Sequence, residues 1–81
     1  MTAPTAEPPD AAVTVDSRGK LCPVPVIELA RAARSLGNGV IAVLADDPAA
    51  ETDIPAWCRM RQVELICMEQ QHDTTRYLVR V

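Results

Sequence analysis

The uninterrupted apolar run Val40-Ile41-Ala42-Val43-Leu44-Ala45 restricts this chain more than any other stretch. Its length and β-branched content mark a buried central strand. Upstream, Val13-Thr14-Val15-Asp16 alternates and is β-branched, which predicts a short strand. Between the two, Val26, Leu29, Ala30, Ala33 and Leu36 recur at helical spacing, so a helix is expected from about Pro23 to Leu36. Gly37-Asn38-Gly39 ends it, because glycine suits the left-handed position after a helix. Strand, helix and strand within about 30 residues form a βαβ unit whose strands run parallel.

Beyond the central run, Asp46-Asp47-Pro48 breaks the strand and starts a turn or helix, and Asp53-Ile54-Pro55 reads as a second start signal, with Asp53 as N-cap and Pro55 in the first turn. Ile54, Trp57 and Cys58 would share the inner face of that helix, which runs to about Arg61. Val63 to Glu69 and Thr75 to Val81 read as two strands, with Gln71-His72-Asp73-Thr74 as the hairpin loop between them. The expected fold is an α/β two-layer sandwich: a four-stranded mixed sheet with two helices on one face, in the order βαβαββ. Residues 1–12, with Pro4, Pro8 and Pro9, read as a disordered leader, and residues 13–81 as a single domain. Trp57 and Tyr77 are the only aromatic residues, so the core must be aliphatic.

The chemistry concentrates ahead of the first helix, in Gly19-Lys20-Leu21-Cys22-Pro23-Val24-Pro25. Pro23 and Pro25 are tolerated in a first helical turn, where N–H groups have no intrahelical partner, and they pre-set its backbone. Cys22 then falls at or beside the N-cap, facing the positive end of the helix dipole. Thiolate, the reactive form of cysteine, is expected to be stabilised there, with Arg18 and Lys20 adding positive charge. Gly19 is expected to let the loop turn and to leave the sulfur uncrowded. Cys58 reads as core packing and Cys67 as a core or inert surface position. The three cysteines and His72 have no local ligand-pair spacing, so no metal is expected. His72 reads as a solvated loop residue, and nothing places it beside Cys22 as the base of a nucleophilic pair. Asp46, Asp47, Glu51 and Asp53 read as turn and N-cap chemistry.

A formal net charge of −3 argues against a nucleic-acid surface, and two aromatic residues give no stacking platform. Neither an apolar leader nor a run long enough for a membrane span occurs, so the expectation is a cytoplasmic protein with reduced thiols.

The chain resembles the TusA-like (SirA-like) sulfur-carrier family. The likeness rests on Asp16-Ser17-Arg18-Gly19-Lys20-Leu21-Cys22-Pro23-Val24-Pro25, Val43-Leu44-Ala45-Asp46-Asp47-Pro48, Asp53-Ile54-Pro55-Ala56-Trp57-Cys58 and Tyr77-Leu78-Val79-Arg80. It implies a βαβαββ fold and a Cys22 that accepts sulfane sulfur as a persulfide and hands it on, with no cofactor. The implied partners are a cysteine desulfurase or rhodanese-like donor and a downstream acceptor, serving tRNA thiolation, molybdenum-cofactor biosynthesis or sulfur oxidation. Three positions depart from the pattern the resemblance implies: Gln62-Val63 stand where many relatives have Gly-His, and Lys20 stands where Leu is frequent. The competing readings are a redox-sensing module without sulfur transfer and a purely structural interaction domain.

Overall fold

The computed structural model describes residues 11–81. The elements are β1 (Val13–Asp16), α1 (Val24–Leu36), β2 (Val40–Ala45), α2 (Ala50–Arg61), β3 (Glu64–Gln71) and β4 (Thr74–Arg80). One four-stranded sheet has the order β1-β2-β4-β3. β1 and β2 pair in parallel; β4 pairs antiparallel with both β2 and β3. The mixed two-layer architecture read from the sequence is therefore the one observed. The expected leader lies outside the described residues up to position 10. At its end, the Ala12 N–H donates to the Val40 carbonyl at 2.8 Å, so pairing with β2 begins before Val13.

β2 occupies the interior of the sheet because its apolar run can be buried on both sides. Ile41, Val43 and Ala45 face the helices and join Tyr77 and Val79 of β4, Leu29 of α1, and Ala50, Ile54, Trp57 and Cys58 of α2 in one core. That shared core places both helices on the same face. On the opposite face Ala42 lies across from Leu78, and both are buried. There the ion pairs Arg76–Glu69 and Arg80–Glu64, each 3.4 Å, span β4 and β3.

Two boundaries depart from the sequence reading. The helix expected to begin at Asp53 begins at Ala50. The Asp47-Pro48 turn starts it: the N–H groups of Ala50, Glu51 and Thr52 donate to the carbonyls of Asp47, Pro48 and Ala49. Asp53 is consequently in the first helical turn instead of capping it, and Pro55 lies inside the helix. The hairpin is also tighter than expected. Gln71 and Thr74 pair, leaving only His72 and Asp73 as the turn, with His72 at φ 57°. The register of β3 shifts between Leu65 and Cys67, an interruption of the ladder near the start of an edge strand.

α2 ends where Gln62 adopts the left-handed conformation at φ 59° and donates its N–H to the carbonyls of Arg59 and Cys58. The Val63 N–H reaches the Cys58 carbonyl at 3.0 Å. This left-handed turn is thus made by a residue with a side chain.

Candidate functional site

The carboxyl ends of parallel neighbours β1 and β2 lie at the same end of the sheet, and the loop from Ser17 to Pro23 crosses there to α1. Pro23 is the N-cap residue and Pro25 the second residue of the helix, so Cys22 stands directly before the cap. The Cys22–Pro23 peptide bond is cis. Cys22 is half-buried: it packs against the edge of the core and keeps part of its surface in solvent.

Acidic side chains hold this loop from the adjoining β2–α2 connection. Asp46 accepts the Gly19 N–H at 2.9 and 3.1 Å through its two oxygens. Asp47 accepts the Cys22 N–H at 2.7 Å through one oxygen and the Ala49 N–H at 3.1 Å through the other. These two bonds hold the Asp47 carboxyl below its ordinary range. Ser17, fully buried, donates its hydroxyl to Glu28 of α1. Glu28 also takes the Lys20 ammonium at 2.9 Å, and its carboxyl is lowered by the bonds from Ser17 and Lys20. The helix face and the loop are therefore tied by the same carboxylate.

The electrostatics differ from those expected for a helix-start thiol. Pro23 and Pro25 have no N–H to offer an anion. The Val24 N–H goes to the Leu21 carbonyl at 2.9 Å, and that of Cys22 goes to Asp47. The expected cations are engaged elsewhere: Arg18 holds Asp16 at 2.7 and 2.8 Å, fixing the Asp16 carboxyl at about 2, and Lys20 holds Glu28. The charges that act on Cys22 are instead Asp53 and Asp47. Burial, a hydrogen bond to the Asp53 carboxylate and the negative charge of both aspartates push the thiol up to about 11. The expectation of a stabilised thiolate in the free chain is thus reversed. A Cβ on Gly19 would meet nothing within 4 Å, so that position requires glycine for its φ of 80° and not for room around the sulfur.

Asp46, Asp47 and Asp53 do serve the turn and the helix start, but sequence reasoning missed that they also partner the Cys22 loop. The available signal was topological. Carboxylates just past the second strand of a βαβ unit lie at the end of the sheet where the first crossover loop emerges.

A shallow groove of about 280 Å³ runs from this loop between α1 and α2, lined by Pro23, Val26, Asp53, Ala56, Trp57 and Met60. Leu21 is 73% exposed and Met60 71%, so the surroundings of the sulfur include large apolar side chains left in water. Cys58 is buried in the core, where burial raises its thiol. Cys67 is half-buried on β3. His72 is exposed at the tip of the β3–β4 hairpin, on the far edge of the sheet from β1. Among the described residues, no three His, Cys, Asp or Glu side chains are grouped to hold a metal ion, and no helix is long and apolar enough to cross a membrane.

A family model described as "Sulfurtransferase TusA" matches residues 13–81. Among solved structures, the crystal structure of the SirA-like protein from Desulfitobacterium hafniense superposes with a TM-score of 0.78 at 24% identity, covering 85% of this chain and 96% of that one. At that identity the likeness speaks for the fold.

Proposed function

The chain belongs to the TusA sulfurtransferase family, and on that premise we propose that it carries sulfane sulfur as a persulfide on Cys22. The observation that carries this reading is a half-exposed cysteine on a loop fixed by Asp46, Asp47 and Pro23, beside exposed apolar side chains that suit transient docking. A carrier needs its sulfur accessible to two different proteins in turn, and needs little machinery of its own.

The transfer is redox-neutral overall. Cys22 sulfur bonds to the outer sulfur of a donor protein's persulfide, and the donor's S–S bond breaks with its electron pair on the inner sulfur. The proton of Cys22 ends on that inner sulfur, so Cys22–SH and donor–S–S⁻ become Cys22–S–S⁻ and donor–SH. Cys22 sulfur is oxidised to the persulfide level and the donor's inner sulfur is reduced to the thiol level. An acceptor then attacks the outer sulfur, or is attacked by it, and Cys22 returns to the thiol. The donor is a cysteine desulfurase or rhodanese-like protein, and the acceptor belongs to a thiolation, molybdenum-cofactor or sulfur-oxidation pathway. The reducing cytoplasm, where the thiols stay free, is the compartment this chemistry needs.

The redox-sensing alternative uses the same half-exposed Cys22 and differs in reacting with peroxide without passing sulfur on. Incubation with a desulfurase and cysteine, or with a rhodanese and thiosulfate, followed by mass spectrometry, tests the proposal. One added sulfur on Cys22 that passes to an acceptor thiol is the expected result; peroxide oxidation without sulfur transfer from either donor would overturn it.

A further inference from the structure

We propose that the free edge of β1, together with the groove between β1 and α1, takes an extended acidic segment of a partner protein as an added antiparallel strand. The proposal concerns binding alone, and its test does not depend on sulfur transfer.

The backbone supplies the first half of the site. β1 is an edge strand, and among the described residues no strand pairs with its outer side. Half of its N–H and C=O groups therefore point away from β2 and offer a template for another strand. The opposite edge is less open, because the register shift in β3 interrupts it. Antiparallel pairing is the more stable arrangement per residue, and a strand of four residues needs that advantage.

The groove supplies the second half. It encloses about 420 Å³ and is lined by Val13, Arg31, Ala32, Ser35 and Leu36. Val13 and Val15 face the helices and pack against the core. Residues opposite each other in paired strands share a face, so the residue set against Val13 enters the groove. Val13, Ala32 and Leu36 give it an apolar floor, and an apolar side chain fits there.

Charge identifies the neighbour of that side chain. α1 runs back from the carboxyl end of β1 to the start of its parallel neighbour β2. Arg31 and Ala32 are thus one helical turn nearer the carboxyl end of β1 than Ser35 and Leu36. The incoming residue opposite Val15 faces Arg31. Among the described residues Arg31 forms no ion pair; Glu28, one turn before it, gives its two oxygens to Ser17 and Lys20. A carboxylate on the added strand completes Arg31, whereas a cation would be repelled. Asp16 is exposed on the other face of β1 and is already held by Arg18. A second copy pairing β1 with β1 about a two-fold axis would set Arg31 against Arg31.

An NMR titration of the isotope-labelled full chain with acetyl-Thr-Glu-Thr-Val-Thr-amide tests this, against peptides with Gln or Lys in place of Glu. The Glu peptide should shift the amides from Val13 to Asp16, slow their exchange with solvent and leave those of β3 unmoved. The Gln peptide should bind about two- to fivefold more weakly, the range of an exposed ion pair, and the Lys peptide more weakly still. Arg31→Gln should cost the Glu peptide the same factor and the Gln peptide nothing. Arg34→Gln, exposed and outside the groove, should affect neither. Unmoved β1 amides at millimolar Glu peptide overturn the proposal, as does equal binding of the Glu and Lys peptides. Shifts of the same amides when the chain alone is concentrated would assign the edge to a second copy and overturn the partner. Peptide binding that emerges only after residues 1–10 are removed would assign it to the chain's own N-terminal segment, with the same consequence.

Discussion

Asp47 bridges two backbones: one carboxylate oxygen accepts the Cys22 N–H at 2.7 Å and the other accepts the Ala49 N–H at 3.1 Å. The loop that carries the thiol and the turn that starts α2 therefore share one side chain. Asp47→Ala should loosen both together. The expected outcome is a lower Tm and faster amide hydrogen exchange at Cys22 and Ala49, measured by NMR, with slower sulfur loading. Asp47→Asn, which keeps one acceptor oxygen, should fall between the two.

Cys22→Ser should accept no sulfur. After incubation with a persulfide donor, the parent chain should gain about 32 Da per sulfur atom added and the variant none. Loading that survives in Cys22→Ser and disappears in Cys58→Ser would transfer the role to Cys58.

Cys58 is 2% exposed and belongs to the core. Replacing its sulfur by a hydroxyl buries a polar group that lacks a ready partner, and Cys58→Ser should cost about 1–3 kcal/mol of stability. Urea denaturation should show the midpoint falling with an unchanged slope. Sulfur loading per folded molecule should be retained.

The carboxylates around the loop set the acid limit of stability. Glu28 and Asp47 have lowered folded values, and Asp16 is held at about 2. A depressed carboxylate contributes stability that is complete above its unfolded value, near about 4, and is lost as pH falls through the folded value. Thermal melts should therefore weaken progressively on acidification below the ordinary carboxylate range. Glu28→Gln should have a lower Tm at neutral pH and a smaller decline in acid, because its contribution is already absent.

Gln62 closes α2 at φ 59°, a conformation that disfavours a residue with a Cβ. Gln62→Gly should stabilise the chain by about 1 kcal/mol, less the added freedom of glycine in the unfolded state. In a domain of this size that corresponds to a Tm rise of about 4 °C or somewhat more. An unchanged or lower Tm would mean that other contacts of the Gln62 side chain outweigh the backbone cost.

Much of this architecture was legible because local pattern and global position agree. The Val40–Ala45 run could only be satisfied between two strands, and it lies between β1 and β4. The prolines at 23 and 25 allowed the first helix one place to begin, and it begins there. The second helix was harder, because two start signals stood six positions apart and either was locally sound. The chain uses Asp47-Pro48, since that turn buries Ala50 against the sheet.

The order of the elements, the aliphatic core and the cysteine ahead of the first helix all depend on residues within a few positions of one another, and so could be read along the chain. The charge felt by that cysteine could not, because it is set by the assembled fold. Basic neighbours along the chain are drawn off to Asp16 and Glu28, and aspartates from the adjoining β2–α2 connection and the first turn of α2 take their place. Electrostatic interaction depends on distance through space, and the fold brings the Asp47 carboxylate, 25 residues away in sequence, to 2.7 Å from the Cys22 N–H while the lysine two positions back is paired with Glu28.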